Sequence, residues 1–362
     1  MKNLVCGQGF LFILFVITDH LNSMKKIILI GLSIIILAIA FASWKIFGPS
    51  VKDPGEKYFY IRTGESYSDV KNELSAKGIA SGFWFDLVSK KMKFDRSVKA
   101  GRYEIKKGMS LVKLIRTLRN GIQSPVNLVI TKLRTKEDLA KRTGSVFEFD
   151  SLQMIRFLTN DDSLAHFGLD SNTLMTAVFP NTYSYFWNTE PHKVFQKLVN
   201  ESEKFWNEAR KQKAKEHGLS TKEAYILASI IEEETNKKSD KGNIASVYLN
   251  RIKIGMPLQA DPTVKFAMKD FGLRRIYHKH LTYSSPYNTY QNAGLPPGPI
   301  CTPSVETIDE LLNSPKTNYL YFVASSKFDG SSVFASTLTD HLKNASAYQK
   351  ALNAYEAARK KE

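Results

Sequence analysis

Glu223-Ala-Tyr-Ile-Leu-Ala-Ser-Ile-Ile-Glu-Glu-Glu-Thr235 begins as an oily run and ends in three consecutive carboxylates. Residues three, four and seven positions apart share a helix face. As a helix, the segment places Glu234 behind Ile231, Ile230 and Leu227 on an apolar stripe. Glu232 and Glu233 lie further round, behind Ala228 and Tyr225 and behind Ser229 and Ile226. A carboxylate on the oily side is partly stripped of water, which disfavours its charged form and raises its pKa. A carboxylic acid still protonated near neutral pH is what general acid catalysis requires. The opposing reading is a solvated Glu run at a helix end, and the face position favours Glu234 as a catalytic acid.

Downstream, Gly242 to Ile252 carries Ile244, Val247, Tyr248 and Ile252 at core spacing on a second helix. Two loops follow that differ from ordinary loop composition. Leu258-Gln-Ala-Asp-Pro-Thr263 links two helices, and Tyr287-Asn-Thr-Tyr290 leads into Gly294-Leu-Pro-Pro-Gly-Pro-Ile300. The prolines and glycines of the last run fix a stiff, bent backbone that holds groups at low entropic cost. Tyr319–Ala324 reads as a buried strand and Asn344–Arg359 as an Ala-rich helix with a solvated basic tail. Upstream, Phe179-Pro-Asn-Thr-Tyr-Ser-Tyr-Phe-Trp187 is an aromatic-dense loop, either packed under the core or a platform for sugar rings.

A two-carboxylate glycosidase needs its second acid about 5–10 Å away. Glu234 has no such partner close in sequence, and Asp261 is the nearest alternative. A single acid fits a route in which it protonates the leaving glycosidic oxygen and then, as a base, helps the sugar's own hydroxyl close a ring.

Nearer the N-terminus, Lys57–Gly121 repeats a strand, a turn and an amphipathic helix around 58–75 and 103–118. Gly48–Gly55 is a Pro/Gly linker. Ile27–Trp44 carries no charge and is flanked by Lys25-Lys26 and Lys45. Its eighteen residues approach the length needed to span a bilayer core of about 30 Å at about 1.5 Å per residue. Lys25 and Lys26 favour a cytoplasmic N-terminus, with the rest of the chain outside. A signal peptide is the rival reading, but its apolar core usually runs to about 7–15 residues. A second apolar run, Leu11–Thr18, lies upstream, and Met24 is an alternative start to Met1.

The net charge of +16 suits an acidic partner: nucleic acid, an anionic membrane face or a wall polymer. No nucleic-acid reading module accompanies it. Cys6 and Cys301 are the only cysteines, and the seven histidines show no metal-ligand spacing, so no metal or cofactor is expected.

Taken together, Ser229–Thr235, Ala245–Ile252, Leu258–Val264, Tyr287–Tyr290, Gly294–Ile300 and Tyr321-Phe-Val-Ala324 resemble, in order, motifs of the endolytic murein transglycosylases of the MltG/YceG-like family. The resemblance covers roughly residues 55–350. It implies an α+β chain: a cytoplasmic N-terminus and transmembrane anchor (1–47), a linker (48–56), a LysM-like α/β module (57–125), a mixed α+β catalytic domain (126–350) and a basic tail (351–362). It implies a peptidoglycan lyase that cuts the MurNAc–GlcNAc β-1,4 bond in nascent strands, leaves 1,6-anhydro-MurNAc ends and works beside the synthases. Glu234 is the catalytic position by family pattern as well as by face. Thr235, Gln259, Asp261, Tyr287 and Asn288 are substrate-site candidates, with loop-structuring hydrogen bonds as their competing role. Two positions depart from the family pattern: Asn181 replaces an aspartate, and Ser332 replaces a histidine while His341 is kept. The competing function is a non-catalytic, membrane-anchored wall-binding protein.

Overall fold

A computed structural model describes residues 6–273 and 275–359. The chain divides into two compact units between Pro125 and Val126. The first begins with α1 (Cys6–Phe47), one helix running through both apolar stretches that the sequence set apart. Within it, Lys25–Phe47 is long and apolar enough to cross a membrane.

β1 (Tyr58–Ile61), α2 (Tyr67–Ala76), α3 (Gly82–Lys91), β2 (Gly101–Glu104) and α4 (Leu111–Asn120) follow. β1 and β2 pair antiparallel, from Tyr58 opposite Glu104 to Ile61 opposite Gly101. Ser66 and Asp69 close a capping box at the start of α2, and Ser110 accepts from the Lys113 amide to start α4. Phe59, Ile61, Leu74, Phe85, Tyr103 and Leu114 form the core of this unit. The Pro/Gly segment before β1 is irregular but not a free linker. Val51 is buried in that core, its backbone exchanges hydrogen bonds with Gly108 and Met109, and the Lys52 amide donates to Ile79.

The second unit starts with β3 (Val126–Ile130), whose alternate residues Val126, Leu128 and Ile130 are buried. α5 (Lys136–Gly144), α6 (Ser151–Leu158) and the short α7 (Asp161–Ala165) lead to β4 (Asn181–Tyr185). The aromatic segment is therefore not a loop. Its centre pairs antiparallel with β3, and Phe179, Tyr183 and Tyr185 are buried, so the packing reading prevails there.

Next come α8 (Pro191–Phe205), α9 (Glu208–Glu216), α10 (Thr221–Glu234), α11 (Lys238–Lys253), α12 (Asp261–Met268), the one-turn α13 (His278–Leu281) and α14 (Val305–Leu312). β5 (Tyr321–Ala324) and β6 (Ser332–Ala335) form an antiparallel hairpin, followed by α15 (Leu338–Arg359). β5 is only partly buried, because its hairpin has no third strand to cover it. α15 starts six residues before the expected Asn344 and carries residues 351–359 of the expected tail as helix; 360–362 lie outside the described residues.

α10 is the spine of the second core. Ser220 and Glu223 form its capping box, and every residue from Ala224 to Ile231 is buried. The helix is therefore wrapped on all sides, not oily along one stripe as its sequence suggested. Tyr225, Leu227 and Ile230 pack with Ile244 and Tyr248 of α11, Leu258, Ile300 and Ile308.

Candidate active site

The all-round burial of α10 changes the question at its C-terminus. Glu232, Glu233 and Glu234 are all partly buried, so helix face alone does not set them apart. Their partners do. Glu232 faces Lys241, 3.3 Å away, and accepts from the hydroxyls of Ser304 and Thr307. Glu233 sits 3.0 Å from Lys132 and 3.1 Å from Arg134. Burial alone would raise both pKa values. The Thr307, Lys241 and Ser304 contacts outweigh it at Glu232, and Lys132 and Arg134 outweigh it at Glu233, so both are held below the ordinary glutamate value.

Glu234 receives one direct donor, the Tyr248 hydroxyl, at 2.8 Å. Burial dominates and pushes its carboxyl up to about 7. The Tyr248 hydrogen bond opposes this, the Asp261 charge adds to it, and Lys265 and Arg251 pull it down. The side chain keeps a partly exposed surface, so a ligand can reach it. Near neutral pH one glutamate can thus hold or release a proton while its two neighbours stay charged.

Tyr248 lies fourteen residues beyond Glu234, on α11. It is fully buried among apolar neighbours and edge-on to Phe322, with its hydroxyl aimed at the carboxylate. Its spacing marked it only as core. A tyrosine at an interior position, whose hydroxyl must find a partner, was the available signal for a second role. Arg251, one turn further, is also buried. It donates to the Leu258 carbonyl at 2.6 Å and the Leu320 carbonyl at 2.7 Å, holding the loop after α11 to the strand region.

The two unusual loops are joined side by side. The Ala260 amide donates to the Thr289 hydroxyl and the Gln259 amide to the Thr289 carbonyl, while the Thr263 and Thr289 hydroxyls lie 2.9 Å apart. The Tyr290 hydroxyl donates to Asp261 at 2.6 Å. Asp261 opens α12 and is exposed. Gln259 is exposed too and has φ of 52°, in the left-handed region that few non-glycine residues occupy. Tyr287 is partly buried against Phe266, with ring centroids 4.7 Å apart. Thr235 caps α10, and its hydroxyl accepts from the Lys237 amide at 3.0 Å.

Asn288 is a correction. It is 0% exposed, its amide donates to the carbonyls of Leu281 and Tyr283, and its oxygen accepts from the Tyr290 amide. Of its two expected roles the structure gives it the loop-structuring one. The two departing positions are likewise tied into the fold: Asn181 accepts from the Thr182 amide, and the Ser332 amide donates to Asp240.

The Gly294–Ile300 run docks directly onto α10. The Ile300 amide donates to the Ser229 hydroxyl at 3.0 Å, and the Cys301 thiol lies 3.4 Å from the Ser229 carbonyl. Gly298 passes so close to the Asn172 carbonyl that a Cβ there would lie 2.1 Å from its oxygen. Among the described residues, no group of three or more His, Cys, Asp or Glu side chains is arranged to hold a metal.

Known proteins match this chain over most of its length. A sequence model described as the YceG-like family matches residues 59–347. An endolytic murein transglycosylase of Bacillus subtilis is 30% identical over 330 residues, which is 84% of this chain and 89% of that protein. One from Streptococcus pneumoniae is 27% identical over 78% of this chain, which spans 57% of the pneumococcal protein. A crystal structure of a yceG-like protein from Listeria monocytogenes superposes with a TM-score of 0.52 at 27% identity, covering 79% of this chain and 98% of that one.

Proposed function

This chain belongs to the YceG-like family, and on that premise we propose that it is a membrane-anchored peptidoglycan lyase of the endolytic murein transglycosylase type. One observation carries the chemistry: burial holds Glu234 near half-protonation at neutral pH while ion pairs keep Glu232 and Glu233 charged. Glu234 gives its proton to the bridging oxygen as the MurNAc C1–oxygen bond breaks, and GlcNAc leaves with a free hydroxyl. The resulting carboxylate, steadied by the Tyr248 hydroxyl, takes the proton of the MurNAc C6 hydroxyl as that oxygen closes on C1. A 1,6-anhydro ring forms, Glu234 is reprotonated, and no water is consumed.

We assign Asp261, held by Tyr290, to balance positive charge developing at C1, and Thr235, Gln259 and Tyr287 to contacts with the sugars. The same reading keeps residues 57–125 as a LysM-like module, for which the two-stranded sheet with two helices between its strands is the support. It also puts the N-terminus in the cytoplasm and the bulk of the chain outside the inner membrane, next to peptidoglycan synthases, on nascent strands.

The test is purified full-length protein acting on isolated peptidoglycan, with released fragments identified by mass. Anhydro ends are expected, and Glu234→Gln is expected to lower their formation by at least about 10²-fold, the usual contribution of a general acid. Reducing ends would overturn the transglycosylase assignment and make Asp261 the second carboxylate of a hydrolase. Undiminished cleavage by Glu234→Gln would remove Glu234 from the chemistry.

A further inference from the structure

We propose that α3 lies in the membrane interface beside α1 and docks the first unit onto the lipid surface of the bilayer that α1 crosses. This rests on Lys25–Phe47 being a membrane span.

α3, Gly-Phe-Trp-Phe-Asp-Leu-Val-Ser-Lys-Lys over 82–91, has two distinct faces. Phe85, Val88 and Ser89 are buried in the core of the first unit. Phe83 and Leu87, one turn apart on the outer face, are 69% and 46% exposed. Two large apolar side chains side by side on a helix form a patch, whereas a scattered one needs no explanation.

What covers this patch follows from its neighbours. The Trp84 ring meets Phe41 of α1, with centroids 6.3 Å apart, and meets Phe83 at 5.3 Å. Phe41 lies three residues on the membrane side of Trp44, about 4.5 Å deeper along the helix. A helix whose first turn touches the span at that depth cannot stand clear of the headgroups while the span is inserted. The apolar patch of α3 is therefore continuous with the lipid-facing surface of α1.

The charges agree with this placement. Lys45, whose ammonium lies 5.0 Å from the Trp44 ring, and Lys52 line a cleft of about 350 Å³ beside Trp84. Lys90 and Lys91 end α3. The one acidic residue of α3, Asp86, is paired with Lys71 at 3.3 Å and Lys90 at 2.8 Å. Aromatic and apolar side chains on one face with basic residues at the edge suit an anionic lipid surface.

The experiment reconstitutes the full-length chain in phosphatidylcholine/phosphatidylglycerol vesicles with a photoreactive benzophenone side chain at single positions. Position 83 or 87 is the test. Ile35, exposed in the middle of the span, is the control for insertion. Ile122 is 58% exposed and lies beyond the far end of α4 from Leu111, which lines the same cleft as Lys45, so it controls for exposure alone. Lipid adducts are expected at 35, 83 and 87, with the yield at 83 and 87 at least tenfold above that at 122. Adducts at 35 but not at 83 or 87 overturn the docking and leave the span intact. No adducts at 35 overturn the span and the docking with it. Cross-links between two copies from 83 or 87, or equal lipid yield from 122, also overturn it.

Discussion

Three adjacent glutamates end one helix, and their fates are decided by what each touches. Glu234 is the one without a cation in direct contact, so burial governs its proton. Because its folded pKa lies above the unfolded glutamate value, its protonated form stabilises the fold fully below about 4.5 and this is lost as pH rises through about 7. Glu234→Gln removes that dependence. At pH 8 the variant should be more stable than the parent by on the order of 2–3 kcal/mol, and the gain should vanish below about pH 4.5, as read by denaturant melts across pH. Tyr248→Phe acts in the opposite sense to a cation. It removes a hydrogen bond to the charged form, so the alkaline limb of kcat/KM should move to higher pH while the maximal rate falls, which a pH–rate profile reads directly.

At the scale of elements, the site depends on loops pinned to α10 and to each other. Gly298→Ala would drive a methyl group into the Asn172 carbonyl. A cost of about 1–3 kcal/mol, with loss of cleavage in the fraction that folds, is expected from thermal melts and fragment release. Much of this frame was legible beforehand: the stiff Pro/Gly run and the two polar loops announced themselves by composition. The rest was not, because it depends on contacts across the chain. Lys132 and Arg134 reach Glu233 from about a hundred residues away, and nothing in Glu-Glu-Glu says which carboxylate they will neutralise. Tyr248 fits an apolar face equally well with or without a carboxylate above its hydroxyl. Asn288 and Tyr183 have residue types that suit sugar contacts, but their positions in a buried turn and a buried strand commit them to structure.

For the molecule as a whole, α1 and the small module that follows it are not separable parts. Ile46 packs on the core that contains Phe59 and Phe85, and Trp84 meets Phe41. A chain starting at residue 48 should therefore lose roughly 1–2 kcal/mol from its first unit through Ile46 alone, seen as a lower melting temperature against the full chain in detergent.

The end of α10 has a further consequence. Its last turn carries three carboxyl groups and no basic residue, where the helix dipole is already negative. Left to itself this turn would fray, and Glu234 would be an ordinary solvated acid. Only closure of segments as far apart as Lys132 and Thr307 seals it. The environment proposed to load Glu234 thus belongs to the closed second unit and not to α10 alone. Amide exchange at Ile231–Thr235 should accordingly occur only with global unfolding of the second unit.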